Sequence, residues 1–177
     1  KTSILEKTIL KMNDTKIAVI EGDPYTTLDA QRIAALDIPV VQINTSNFAS
    51  DCHLEARMIK KAAEGMDLNN LKLLFIENVG NLVCPANYDL GEDIKVLVFS
   101  VTEGEDKPLK YPIIFKNADI LLINKSDLLP YLDINKNNIV ENIRLINPDA
   151  KYIFISAKDN SGIDEWIDCI NNLMTKK

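Results

Sequence analysis

Ile120-Leu121-Leu122-Ile123-Asn124-Lys125-Ser126-Asp127 is the stretch whose reading decides the fold. Consecutive apolar residues run straight into a polar turn, with no alternation between them. A strand that is apolar on every residue is buried on both faces, which is the habit of parallel sheets covered by helices. Ligands of such sheets sit beyond the carboxyl ends of the strands. The turn at this end reads N-K-x-D, and each residue has a job on a guanine base. The Asp127 carboxylate accepts from N1–H and the 2-amino group, a donor pair that adenine lacks. The Lys125 stem lies along the base, and the Asn124 amide braces the loop. A motif of four residues gains weight from its place directly after a buried strand; the bland alternative is a polar turn.

Working outward, apolar runs alternate with helical spacing along the whole chain. Strands are predicted at Lys16 to Ile20, around Val40, Val41 and Ile43, at Leu71 to Ile76, Ile94 to Ser100 and Tyr152 to Ile155. Helices are predicted at Thr27 to Leu36, Cys52 to Glu64, Asn138 to Ile146 and Ile163 to Met174. This alternation predicts an open α/β sheet with helical crossovers. The strand ends then supply the remaining candidates. Ser156-Ala157-Lys158 follows the last strand, and its backbone N–H groups suit guanine O6. Glu77-Asn78-Val79-Gly80 resembles a D-x-x-G turn with Glu in the first place. Glu77 can hold a magnesium-bound water, and Gly80 can bring its N–H close to a γ-phosphate. Asn81 stands where other GTPases carry a water-orienting Gln. Asp23 ends the first strand and is a candidate for Mg²⁺. Asp29 is a second candidate, against the plainer role of an acid in the first turn of a helix.

Lys1-Thr2 matches the last two positions of G-x-x-x-x-G-K-[ST], where Lys reaches the β- and γ-phosphates and Thr binds Mg²⁺. The sequence opens on Lys1 rather than Met, so it reads as a fragment whose strand and glycine loop are expected upstream. With that motif the expected fold is the three-layer P-loop NTPase, a mostly parallel central sheet with helices on both faces. A length of 177 residues suits one domain, and residues 1–177 are expected to form a single GTPase domain.

Composition excludes several classes. Hydrophobic residues are 46% and charged residues 26%, ordinary globular usage. The formal charge of −6 comes with no basic stripe, which argues against a nucleic-acid partner. No apolar run approaches the roughly 18 residues of a membrane span. Three cysteines, an odd number, suit reduced thiols in the cytoplasm. The single histidine, His53, adjoins Cys52, and Cys84 follows Gly80 by four residues. Cys52 is expected at a helix start with Asp51 as N-cap, a placement that favours thiolate. Two thiolates and an imidazole suit Zn²⁺ or Ni²⁺ better than Mg²⁺. The spacing is no zinc-finger spacing, and two semi-buried thiols with a surface histidine is the plainer reading of the residues alone. Cys169 borders the apolar face Ile163, Trp166, Ile167, Ile170 and Leu173, and reads as packing.

Longer blocks carry a resemblance. Cys52-His53-Leu54-Glu55-Ala56, Phe75-Ile76-Glu77-Asn78-Val79-Gly80-Asn81-Leu82-Val83-Cys84-Pro85 and Val101-Thr102-Glu103-Gly104-Glu105-Asp106-Lys107-Pro108-Leu109-Lys110-Tyr111-Pro112 strongly resemble the HypB family. These are GTPases of the SIMIBI P-loop class that help deliver nickel to [NiFe]-hydrogenase. The resemblance implies GTP and GDP as ligands, slow hydrolysis, and Ni²⁺ or Zn²⁺ on Cys52, His53 and Cys84. It also implies a homodimer formed with GTP, an accessory protein of the HypA type and the hydrogenase large subunit as partners. One departure stands out: Thr45 to His53 is longer than the family's T-G-K-x-C-H approach and lacks its Gly-Lys. Two other functions fit parts of the pattern. Urease-type nickel GTPases share the architecture but usually show Cys-Pro-His. A metal-storage or scaffold protein without nucleotide would follow from a lost phosphate loop.

Overall fold

The computed structural model describes residues 1–47 and 52–175. They fall into two compact units, Lys1–Gly91 and Glu92–Lys177. Each unit is an α/β layer structure around a three-stranded sheet, and every strand pairing is parallel.

The first unit runs α1 (Thr2–Lys11), β1 (Ile17–Asp23), α2 (Leu28–Ala34), β2 (Val40–Asn44), α3 (Ala56–Glu64) and β3 (Leu73–Glu77). Its strand order is β2-β1-β3, with helices making the crossovers that parallel neighbours require. Central β1 is buried from Ile17 through Gly22. The apolar run stops at Ile20, yet the strand continues to Asp23. Partners carry it on: Glu21 pairs with Gln42 and Glu77 on either side, and beyond it β2 pairs Ile43 with Gly22 and Asn44 with Asp23. Gly22 has a packing reason as well. A Cβ there would lie 2.7 Å from Leu54 Cδ2 and 2.8 Å from its Cγ.

Leu54 also explains a correction. The expected helix from Cys52 begins instead at Ala56, with Glu55 as an N-cap in extended conformation. Cys52 lies in a turn before it, so no helix terminus acts on its thiol, and Asp51 lies outside the described residues. Leu54 is fully buried with Ile20, Ile43, Met58 and Ile59. Its burial draws the segment down onto the sheet, and the helix can turn away only afterwards.

The second unit runs β4 (Val96–Ser100), α4 (Lys107–Lys110), α5 (Pro112–Lys116), β5 (Ile120–Asn124), α6 (Lys136–Ile146), β6 (Lys151–Ile155) and α7 (Ile163–Met174). Strand order is β4-β5-β6. Central β5 buries Ile120, Leu121, Leu122 and Ile123, as its unbroken apolar run requires. Helix α7 turns Ile163, Trp166, Cys169 and Ile170 inward, so Cys169 is a packing residue. Among the described residues no helix is long and apolar enough to cross a membrane.

Candidate functional site

The first unit gathers the expected phosphate and magnesium residues at the carboxyl end of its sheet. Thr2 Oγ1 donates to Glu77 Oε1 at 3.0 Å. Lys1 Nζ stands 3.6 Å from the same oxygen and donates to the carbonyl of Asn78. Glu77 ends β3 directly opposite Glu21 of β1. Both are poorly solvated, and Oε2 of each is buried without a hydrogen-bond partner among the described residues. Burial first, then the nearby charges of Glu77 and Asp23, push the Glu21 carboxyl up to about 7. Buried carboxylate oxygens with open lone pairs beside a hydroxyl are what a hard divalent cation relieves, so the residues fit Mg²⁺. Sequence reasoning missed Glu21. Its signal was a carboxylate continuing an otherwise apolar strand.

The other phosphate-end candidates fare differently. Asp23 Oδ1 accepts from the backbone N–H of Tyr25 at 2.8 Å and of Thr26 at 2.6 Å, so it folds the turn after β1. Asp29 pairs with Arg32 at 3.0 Å in the first turn of α2, the plainer of its two roles. Arg32 also bonds Glu6 and Ser3. Gly80 faces open space, and a Cβ there would meet none of the described residues within 4 Å.

The transition-metal candidates come together. One ligand atom each of Cys52, His53 and Cys84 lies within 4.8 Å of the others. Cys52 Sγ and His53 Nδ1 are 3.5 Å apart, a separation that two ligands of one tetrahedral ion would have. His53 is buried, stacks on Tyr88 with ring centroids 3.8 Å apart, and among the described residues has no hydrogen-bond partner on Nε2. The donor set of two sulfurs and an imidazole fits Ni²⁺ or Zn²⁺. Two asparagines of the loop after β3 bond the backbone next to these residues. Asn78 Oδ1 accepts from the N–H of Leu54 at 2.9 Å, next to His53. Asn81 Oδ1 accepts from the N–H of Val83 at 2.7 Å and of Cys84 at 3.3 Å. Asn81 Nδ2 points to Cys84 Sγ at 3.7 Å.

The second unit joins the two guanine motifs. Ser156 Oγ donates to Asp127 Oδ1 at 2.6 Å, and Lys158 Nζ lies 3.9 Å from Asp127 Oδ2. The Lys158 N–H donates to Ser156 Oγ at 3.1 Å. Asn124 Oδ1 takes the Lys125 N–H at 2.7 Å, with Lys125 in the left-handed region at φ 59°. Asp127 is thereby fixed in direction while its second oxygen stays available, and Ala157 lies within the same turn.

A family model, the CobW/HypB/UreG nucleotide-binding domain, matches residues 1–154. The hydrogenase maturation factor HypB of Escherichia coli K12 is 50% identical over 169 residues, which cover 95% of this chain and 57% of that protein. The crystal structure of the hydrogenase maturation factor HypB from Archaeoglobus fulgidus superposes with a TM-score of 0.88 at 37% identity, covering 98% of this chain and 83% of that one. HypB from Helicobacter pylori in complex with nickel gives a TM-score of 0.90 at 33% identity, covering 99% and 81%. The chain belongs to the HypB family. It spans little more than half the length of Escherichia coli HypB.

As a HypB-family chain it carries a P-loop nucleotide-binding domain within an α/β fold of parallel sheets. The HypB resemblance pointed to Cys52, His53 and Cys84, but neither it nor the spacing pointed to Asn78, Asn81 or Tyr88 as their supports. An asparagine in a loop has no periodicity to betray it. Its role appears only when the loop folds back on its own backbone.

Proposed function

We propose that residues 1–177 work as one GTPase domain that binds GTP, hydrolyses it slowly and uses the cycle to assist nickel insertion into [NiFe]-hydrogenase. One observation carries this reading. Asn78 touches both candidate sites, with its carbonyl on Lys1 and its side chain on the backbone beside His53. A nucleotide that recruits Lys1 therefore acts on the residue that holds the metal segment. Lys1 and Thr2 take the phosphates, Thr2 and Glu77 serve Mg²⁺ with Asp23 and Glu21 near them, and the Gly80 N–H reads the γ-phosphate. Asn124, Lys125, Asp127, Ser156, Ala157 and Lys158 take the base.

Hydrolysis without a partner is expected to be slow. The Asn81 amide is engaged with Cys84, and Arg32, Arg57 and Arg144 all lie within helices. A rate far below the roughly 10 per second of ordinary enzymes follows. Nickel is cargo on Cys52, His53 and Cys84, and Zn²⁺ is the competing ion. The dimer formed with GTP, the HypA-type accessory protein, the hydrogenase large subunit and the cytoplasm complete the reading from the family.

The test is Ni²⁺ affinity measured with GDP and with a non-hydrolysable GTP analogue, in the wild type and in Cys84→Ala. Different affinities in the two nucleotide states are expected, and Cys84→Ala should lose metal while keeping nucleotide. Equal affinities would remove the switch even if the three residues do bind metal.

A further inference from the structure

Asn81 follows Gly80 at the place where a water-orienting side chain would stand, yet both ends of its amide face Cys84 rather than the open space beside Gly80. The oxygen takes two backbone N–H groups, of Val83 and Cys84. The nitrogen lies 3.7 Å from Cys84 Sγ. The network fixes which end is which. Exchanging oxygen and nitrogen would set an NH₂ group against two N–H donors and leave the sulfur facing an acceptor. Val83 precedes the short 3₁₀ turn Cys84–Asn87, and no side chain caps that turn at Val83 itself. Asn81 supplies the cap from two residues further back.

We propose that Asn81 is a positioning residue of the metal site. Its oxygen sets the turn that aims Cys84 at Cys52 and His53, and its N–H donates to the Cys84 sulfur when that sulfur is a ligand. The inference rests on the reading that Cys52, His53 and Cys84 hold the metal. The physical gain is twofold. A thiolate ligand carries lone pairs that are not on the metal, and a fixed N–H satisfies one of them without competing for the ion. The same donor draws density from the sulfur, which softens its hold on the metal. Groups that orient ligands in this way change metal affinity by about 10- to 100-fold when removed. A cargo site benefits from a ligand that is well aimed but not held at full strength.

Two variants separate the two halves of the role. Asn81→Ala removes both the cap and the donor. Asn81→Ser keeps a hydroxyl that can accept from the N–H groups two and three residues on, and loses the reach to sulfur. Each is loaded with Ni²⁺ alone, and two quantities are read: affinity by competition with a chromophoric chelator, and the sulfur-to-nickel charge-transfer absorption. Asn81→Ala is expected to weaken Ni²⁺ about 10- to 100-fold. Asn81→Ser keeps the cap and loses only the donor that softens the sulfur, so it is expected to hold Ni²⁺ at least as tightly as the wild type and to move the absorption to longer wavelength, because a sulfur without its N–H donor gives up charge more easily. Wild-type affinity and spectrum in both variants would overturn the proposal. So would a fall in GTP hydrolysis with nickel binding intact, which would return Asn81 to the attacking water. If wild type and Cys84→Ala bind nickel alike, the metal site itself has been misassigned, and that failure is distinct from either of these.

Discussion

Asp127 gives the sharpest test at the scale of single residues. Its Oδ1 already receives the Ser156 hydroxyl, so its orientation is set before a base arrives. Asp127→Asn can keep that bond through the amide oxygen, but turns an NH₂ toward a guanine donor. GTP should weaken by several kcal/mol, and xanthosine triphosphate should gain, in a nucleotide titration. Unaltered GTP binding would dismiss the guanine assignment. Gly22 is a second test. A methyl there meets three side-chain carbons of Leu54 within 2.8 Å, and Leu54 is fully buried. Gly22→Ala should cost about 1–3 kcal/mol by chemical denaturation, as overpacked cores do. Leu54 is the neighbour of His53, so the same variant should also loosen Ni²⁺. Glu21 gives a pH dependence. Its carboxyl titrates at about 7 in the folded chain against an ordinary 4.5. Between those values the folded chain holds a proton that the unfolded chain has lost. Stability must therefore fall as pH rises from about 4.5 to about 7 in the absence of nucleotide and cation, by no more than about 3 kcal/mol. Glu21→Gln should flatten that slope in thermal unfolding followed across pH, and a slope unchanged in the variant would assign it elsewhere.

Elements show where side chains act through the backbone. Gly162 opens α7 in the left-handed region at φ 70°, and a Cβ there would fall 2.1 Å from the Phe154 carbonyl oxygen. Neither group is the end of a flexible side chain, so the junction between β6 and α7 must move. Gly162→Ala should destabilise by roughly 2–4 kcal/mol. It should also weaken guanine binding, because the N–H of Ser156 is tied to the carbonyl of Ser161. Wild-type stability in that variant would deny the close approach. Most elements were legible before any coordinates. The apolar runs located all six strands within a few residues, and the helix over Ile163 to Met174 fell where its spacing put it. The misses share one cause. Helix α3 started late because burial of Leu54 overrode a helical pattern, and β1 ran long because β3 as far as Glu21 and β2 as far as Asp23 supplied partners that one strand's sequence cannot announce. The nucleotide motifs were legible as fixed spacings. The metal triad was legible only through the family resemblance, since spacing says nothing of residues joined by a fold.

At the scale of the whole molecule the proposed metal site turns on how many chains would hold one ion. Among the described residues each chain brings together three candidate ligands, Cys52, His53 and Cys84, where a closed structural zinc site takes four. A fourth from water leaves the ion exchangeable, whereas ligands from a second chain across a two-fold axis would close the site. Val83 and Tyr88 lie on either side of Cys84 in sequence and are exposed, and Tyr88 stacks on His53. If GTP favours the dimer and the dimer changes the ligand set, linkage leaves no freedom. The factor by which GTP tightens metal must equal the factor by which metal tightens GTP, typically about 5- to 150-fold for coupled sites. Sedimentation should then find the GTP-analogue dimer strengthened by Ni²⁺ in the wild type and indifferent to Ni²⁺ in Cys84→Ala. A dimer that responds to nickel equally in both proteins would locate the coupling away from Cys84. A dimer that ignores nickel in both would leave the ion bound by single chains, with nucleotide exchange as the remaining means of release.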